Sequence, residues 1–394
     1  MYVFTTITDS YRQSAELQLF QSMFEKSFAG DAEIMISNRG PQTASRALKK
    51  AISRCLENLE DHDLPEYVLV VREPTVFIGN GSVQEMKNVL DADAGLDCTL
   101  PTDFRDHVHG DQPPYLTLRG FDRFADARRG KDYGVVPFDG RRVFMFLLRT
   151  AKLLSMDFPE DIFSLPEVLG TRAALVPGAC IHPLFDYYCE ERKDVLPLVP
   201  ETVGSLLDIG CSRGGFGKAL KAGRSCRVVG IEMNRNEGEK ARDVLDEVVI
   251  GDVLEVKPGE HFDCVTCLDV LEHFVASERL LERIRNDFLK PEGGYLLLSI
   301  PNVGHWSVVE DLLAGRWDYL PVGLLCTTHM RFFTLKTIYD LLENNDFVVE
   351  RTESIKIPMP DSVRDGMRVL SKHAMEIDES SLETLHYNIV ARVR

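Results

Sequence analysis

Four acidic residues, Asp208, Glu232, Asp252 and Asp269, close four successive apolar runs in the C-terminal half of this 394-residue chain. They stand in "LLDIGCSRGGFG", "VVGIE", "VVIGD" and "VTCLD". One acid at a strand end has many packing explanations; four in succession point to a ligand with several cationic or hydrogen-bond-donating groups. An ionised carboxylate only accepts hydrogen bonds, so Glu232 suits the two hydroxyls of a ribose and Asp252 an adenine amine. Asp208 would repel a pyrophosphate but suits an ammonium group. The first run also opens a glycine-rich turn. A dinucleotide fingerprint needs Gly-x-Gly-x-x-Gly, and Gly210, Ser212 and Gly215 break it at the middle position. A ligand carrying sulfonium, ammonium, ribose and adenine groups would use all four acids.

Such acids need a sheet to position them. From residue 203 onward, strand-like runs alternate with helical ones, ending in "FVVERTESIKI" and "HYNIVARVR". Seven strands alternating with helices predict an α/β fold with an open, mostly parallel sheet, its last strand antiparallel. Ligands of such sheets bind beyond the carboxyl ends of the strands, where these acids fall. Residues 1–175 also alternate strands ("MYVFTTI", "AEIMIS", "EYVLVV") with helices, and "GRRVFMFLLRTAKLLSM" reads as a helical run. The proline-marked segment 176–200 reads as a connector to a second domain, 201–394.

Residues 203–356 resemble the class I S-adenosylmethionine-dependent methyltransferases, a Rossmann-like family, through "LLDIGCSRGGFG", "GIE", "GDV" and "CLDVLEHF" in order. The resemblance implies that Asp208, Gly210 and Gly214 line the methionine end of the cofactor, with Ser212 and Asp269 beside them. It implies that Glu232 holds the ribose and that Asp252 with Val253 frames the adenine. "IPNVGHWSVVEDLLAGRWDYLPVGLLCTTHMRFFT" is similar to methyltransferases of polysaccharide and O-antigen gene clusters, often fused to a glycosyltransferase; such relatives lead one to expect an aspartate where Cys326 stands.

A hydroxyl acceptor must lose its proton, and His273, His305 and His329 are candidate bases. Of these, His273 and His329 are the nominated catalytic residues. Asp269, Glu272 and His273 form D-x-x-E-H, similar to the E-x-x-E-H of metal-dependent small-molecule and RNA-end O-methyltransferases. With His329 they would make a two-carboxylate, two-imidazole cation site. The plainer reading, preferred on the sequence, is that Glu272 and His273 start a helix and shape the pocket. His305, Trp306, Trp317 and Tyr319 bracket a helical insertion that reads as an acceptor lid, open to a glycan or a small phenol- or quinone-type molecule. A scaffold without catalysis would not need to keep Asp208, Glu232 and Asp252.

The N-terminal domain faintly resembles a GT-A, family 2 glycosyltransferase. Where that family carries the Asp-x-Asp that holds a cation, this chain has Arg72–Glu73–Pro74, so the domain reads as degenerate. Asp61–His62–Asp63 and Asp91–Ala92–Asp93 read as solvated acidic runs.

A formal net charge of −17 argues against a nucleic-acid partner. No leader peptide or spanning segment is read, and nine scattered cysteines suit a reducing cytoplasm. Cys264 and Cys267 fall three apart in a strand and so point to opposite faces, as core thiols rather than ligands.

Overall fold

The computed structural model describes residues 2–7, 33–38, 52, 65–72, 76–103, 106, 115–156, 159, 161–183, 191–257, 259–320, 323–372 and 377–394. The chain divides into two units, Met1–Phe185 and Asp186–Arg394. Among the described residues, no helix is long and apolar enough to cross a membrane.

The N-terminal unit holds β1 (Tyr2–Ile7), β2 (Glu33–Asn38), β3 (Tyr67–Val71), β4 (Val76–Ile78), β5 (Cys98–Thr102), β6 (Val136–Pro137), β7 (Met145–Arg149) and β8 (Ala173–Pro183). They form one mixed sheet in the order β2-β1-β3-β7-β5-β8-β4, with β6 alongside β8. Two expectations are corrected here. The run "VFMFLL" is not helical: it supplies β7, antiparallel to both β3 and β5, and only Thr150–Leu154 forms a helix. Met145 and Leu147 pack on one face while Phe146 and Leu148 pack on the other. A strand buried on both faces shows an unbroken apolar run, which carries no strand period to read.

The expected connector also begins too early. Residues 176–183 continue β8, parallel to β5 and antiparallel to β4. Pro177 lies where the register against β5 shifts between Pro101 and Thr102, a bulge that tolerates proline inside a sheet. The segment "TASRALKKAISRCLENLED", one of the helical stretches expected between the N-terminal strands, lies outside the described residues apart from Ile52, as do Asp61, His62, Asp63, Glu73 and Pro74.

The C-terminal unit holds β9 (Ser205–Ile209), β10 (Arg227–Glu232), β11 (Glu247–Ile250), β12 (Cys264–Leu268), β13 (Tyr295–Pro301), β14 (Phe347–Lys356) and β15 (Thr384–Val393). Their order is β11-β10-β9-β12-β13-β15-β14, with β15 antiparallel to β13 and β14. The order reverses at β9, so the crevice at its carboxyl end is the place for a ligand. Cys264 packs with Leu206 and Val228 on one face of the sheet, and Cys267 with Leu207 and Val265 on the other. The register of β12 against β9 sets Thr266 beside Asp208.

Candidate functional site

The turn after β9 is built around backbone that side chains resist. Gly210 has φ 74°, and a Cβ there would lie 2.6 Å from Val270 Cγ2. Gly214, at φ 78°, caps the helix Gly215–Gly223. Between them Ser212 takes φ 48°, the left-handed region that non-glycine residues seldom adopt. Its contribution is the backbone amide, which donates to Glu232 Oε2 at 2.8 Å, while the Asn234 amide donates to Oε1 at 2.7 Å. The Gly210 amide donates to the Ile231 carbonyl at 2.8 Å. Turn and β10 are therefore tied together, and each Glu232 oxygen keeps lone-pair capacity for a ligand hydroxyl.

Asp208 is buried, and the Thr266 hydroxyl donates to its Oδ1 at 2.6 Å. Burial pushes its carboxyl up to about 7, the Glu232 charge adds to this, and the Thr266 bond and Arg192 oppose it. Asp252 follows β11 on the surface; its Oδ1 accepts from the Leu254 amide at 2.9 Å, while Val253 is buried beside it. Glu232 and Asp252 lie on neighbouring strand ends, joined by the Gly251 amide donating to the Glu232 carbonyl at 3.0 Å. A rim of acceptors above a glycine turn fits a cofactor whose polar groups are an ammonium, ribose hydroxyls and an amine.

Asp269 has a different neighbourhood from the one its spacing implied. It follows β12 at φ 55° and accepts three hydrogen bonds or contacts: Arg192 Nη1 at 2.7 Å on Oδ2, and Ser299 Oγ at 3.0 Å and His386 Nδ1 at 3.2 Å on Oδ1. Although burial opposes it, His386 and Arg192 hold this carboxyl far below the usual carboxylate range. Arg192 also grips Asp194 through Nη2 at 3.0 Å and Ser299 Oγ at 2.7 Å. Arg192, Ser299 and His386 were not singled out from the sequence. Arg192 sits in a segment that reads as linker, and His386 lies near the start of a strand, 117 residues from Asp269.

Glu272, His273 and His329 do come together, with one ligand atom of each within 4.8 Å of the others; Asp269 is not among them. His329 Nε2 lies 3.9 Å from Glu272 Oε1, and the two imidazoles meet edge-on at 4.9 Å between centroids. Each imidazole pairs its Nδ1 with a carbonyl, His273 with Thr328 at 3.0 Å and His329 with Leu324 at 3.1 Å. A carbonyl only accepts, so both rings carry hydrogen on Nδ1 and leave the lone pair on Nε2, which in His329 faces Glu272. Glu272 is 1% exposed, and among the described residues neither carboxylate oxygen has a hydrogen-bond partner. Burial, and then the Asp269 charge, push its carboxyl well above the ordinary range. Burial also holds the His329 imidazole down at about 4. These three residues could hold a divalent cation; the helix-start role expected of Glu272 and His273 does not by itself explain an unpartnered buried carboxyl.

The expected lid divides. His305 caps the helix Trp306–Leu313, and Trp306 packs with Met359 and Met367, both residues being buried. Trp317 and Tyr319 instead gather round Phe332, at 5.2 and 6.3 Å between centroids, and Phe332 meets His329 at 6.2 Å. Cys326 lies buried with Sγ 3.1 Å from Thr328 Oγ1, so the position expected to hold an aspartate supplies no carboxylate.

Residues 181–352 match a family model described as "Methyltransferase domain". The C-terminal unit carries a methyltransferase domain, the protein is an S-adenosylmethionine-dependent methyltransferase, and S-adenosylmethionine is its cofactor. Among solved structures the chain is similar to a S-adenosylmethionine-dependent methyltransferase from Archaeoglobus fulgidus, at 19% identity over 52% of this chain and 96% of that one, with TM-score 0.36. It is also similar to one from Mesorhizobium loti, at 16% identity over 52% of this chain and 98% of that one, with TM-score 0.36. No curated protein matches the chain.

Proposed function

We propose that the enzyme methylates a hydroxyl of a sugar or glycan intermediate in cell-surface polysaccharide synthesis, in the cytoplasm. The observation that supports this is the group Trp317, Tyr319 and Phe332 adjoining His329, with Tyr319 49% exposed. Aromatic faces at the edge of a pocket offer the C–H faces of a sugar ring a surface to stack on, beside polar groups that fix its orientation. When bound, S-adenosylmethionine supplies an electrophilic methyl group. The chain's residues do the rest: Glu232, Asp252 and the Gly210–Gly214 turn orient the donor, and the aromatic group orients the acceptor and excludes water. The test is transfer of radiolabelled methyl from S-adenosylmethionine to the host's own polysaccharide extract. Label appearing in a sugar fraction, lost with Tyr319→Ala while donor binding persists, supports the reading; no sugar-bound label overturns it.

A second reading is favoured by the unpartnered carboxyl of Glu272 between two imidazoles. In this reading Glu272, His273 and His329 would hold a divalent cation, and the chemistry it would supply is acidification of the hydroxyl of a small phenol- or quinone-type acceptor. Calorimetric titration of the protein with magnesium, manganese and zinc tests it: binding that Glu272→Gln abolishes supports the site, and no binding removes it.

The N-terminal unit is proposed as a degenerate GT-A-like domain. At the end of β3, Arg72 donates to the Val143 carbonyl at 3.1 Å and lies 4.2 Å over the Phe163 ring, a fixed cation where a metal-holding acid is expected. Asp91 is used structurally, accepting from the Tyr67 hydroxyl and from Lys87. Release of free nucleotide from nucleotide sugars would contradict this proposal.

A further inference from the structure

We infer that His386, oriented by Asp269, is the general base that removes the acceptor's hydroxyl proton. The inference rests on the O-methyl transfer proposed above. His386 lies opposite Pro301 in the register of β15 against β13, so it stands at the carboxyl-end edge of the parallel strands, the edge that carries the donor site. Its Nδ1 is 3.2 Å from Asp269 Oδ1. Asp269 is held ionised by Arg192 on its other oxygen, at 2.7 Å. An ionised carboxylate cannot donate, so the hydrogen between them belongs to Nδ1 and the lone pair to Nε2. The His386 side chain is 26% exposed, and no hydrogen bond among the described residues engages Nε2.

The other histidines of this edge lack that combination. His305 caps a helix, and burial holds its imidazole down at about 4, as it does His329. His273 is oriented by the neutral carbonyl of Thr328. Among the described residues, neither His305 nor His329 has an ionised carboxylate hydrogen-bonded to its ring to stabilise the imidazolium that forms as a proton arrives. The charged or titratable groups around His386 are Asp269, with Arg192 behind it, and the rings of His305 and His329.

In the step, the acceptor oxygen forms a bond to the methyl carbon and the carbon–sulfur bond breaks. Its electron pair goes to sulfur, which becomes a neutral thioether, and the hydroxyl proton moves to His386 Nε2. Asp269 is the positioning residue, acting through the His386 ring.

Nitrogen NMR of the full chain labelled at histidine tests the orientation without any acceptor. Neutral His386 is expected with hydrogen on Nδ1, and Asp269→Asn is expected to remove that preference. Hydrogen on Nε2, or no response to Asp269→Asn, overturns the pairing. The base role is read by methyl transfer to the host's polysaccharide extract. His386→Ala is expected to lower kcat by at least about 100-fold with donor binding within about twofold, and added imidazole to restore part of the rate. Asp269→Asn is expected to lower kcat rather than raise KM and to shift the acid limb of its pH profile. Transfer within a few fold of wild type in His386→Ala overturns the base. If wild type labels nothing, the acceptor reading fails, whereas the ring spectra still decide for or against the pairing.

Discussion

The Ser212 amide donates to Glu232 Oε2 across 2.8 Å, so the turn after β9 and the acid that ends β10 hold one another in place. The bond is made by backbone, not by the hydroxyl, and Ser212 adopts φ 48° to make it. Glycine reaches that conformation without steric penalty but loses more freedom on folding. Ser212→Gly is therefore expected to unfold within about 1 kcal/mol of wild type and to bind S-adenosylmethionine within about threefold. Thermal melts and calorimetry check this; a tenfold loss of affinity would assign the work to the hydroxyl instead.

Gly210 is held more stringently. Gly210→Ala places a Cβ 2.6 Å from Val270 Cγ2 at φ 74°, and an expected loss of about 1–3 kcal/mol combines overpacking with backbone strain. Adding Val270→Ala should relieve the clash but not the strain. Denaturant unfolding of the double variant should then recover part of the loss beyond the separate effect of Val270→Ala.

Asp208 makes stability depend on pH. Its folded value, about 7, lies above the ordinary 3.8, so the fold favours the protonated acid. The contribution is complete in acid and is lost as pH rises through about 7. Between pH 5.5 and 8.5, pH values of the proposed experiment chosen to bracket the value of about 7, wild type should lose stability relative to Asp208→Asn by on the order of a few kcal/mol. Parallel melts of both proteins across that range check it, and equal slopes would show that Asp208 ionises freely.

The exposed aromatic at the proposed acceptor edge should affect recognition and not folding. Tyr319→Ala is expected to change unfolding by no more than about 0.5 kcal/mol while raising acceptor KM about tenfold. Steady-state kinetics on the labelled sugar fraction separate the two.

The five parallel strands of the C-terminal unit are legible because each is a short, largely apolar run ended by a turn signal, and the positions of Asp208, Glu232 and Asp252 at or just beyond strand ends follow from those runs. Local pattern had nothing to say about β7, whose two faces are both buried, or about Pro177, which a bulge absorbs within β8. Asp269 shows the limit most clearly. Its spacing to Glu272 and His273 reads as a ligand set, yet Arg192 and His386 claim its oxygens from distant parts of the chain. Such partners depend on strand order, which no local spacing records.

Calorimetric titration with S-adenosylmethionine, of wild type and of Glu232→Ala, tests the central claim most directly. Glu232 is the acid that the turn amide holds at the proposed donor site, and hydrogen bonds to a charged group contribute about 1.5–3 kcal/mol. Wild type is predicted to bind with measurable heat and Glu232→Ala at least about tenfold more weakly. No heat with wild type, or equal affinity in the variant, would contradict the assignment of this crevice as the donor site.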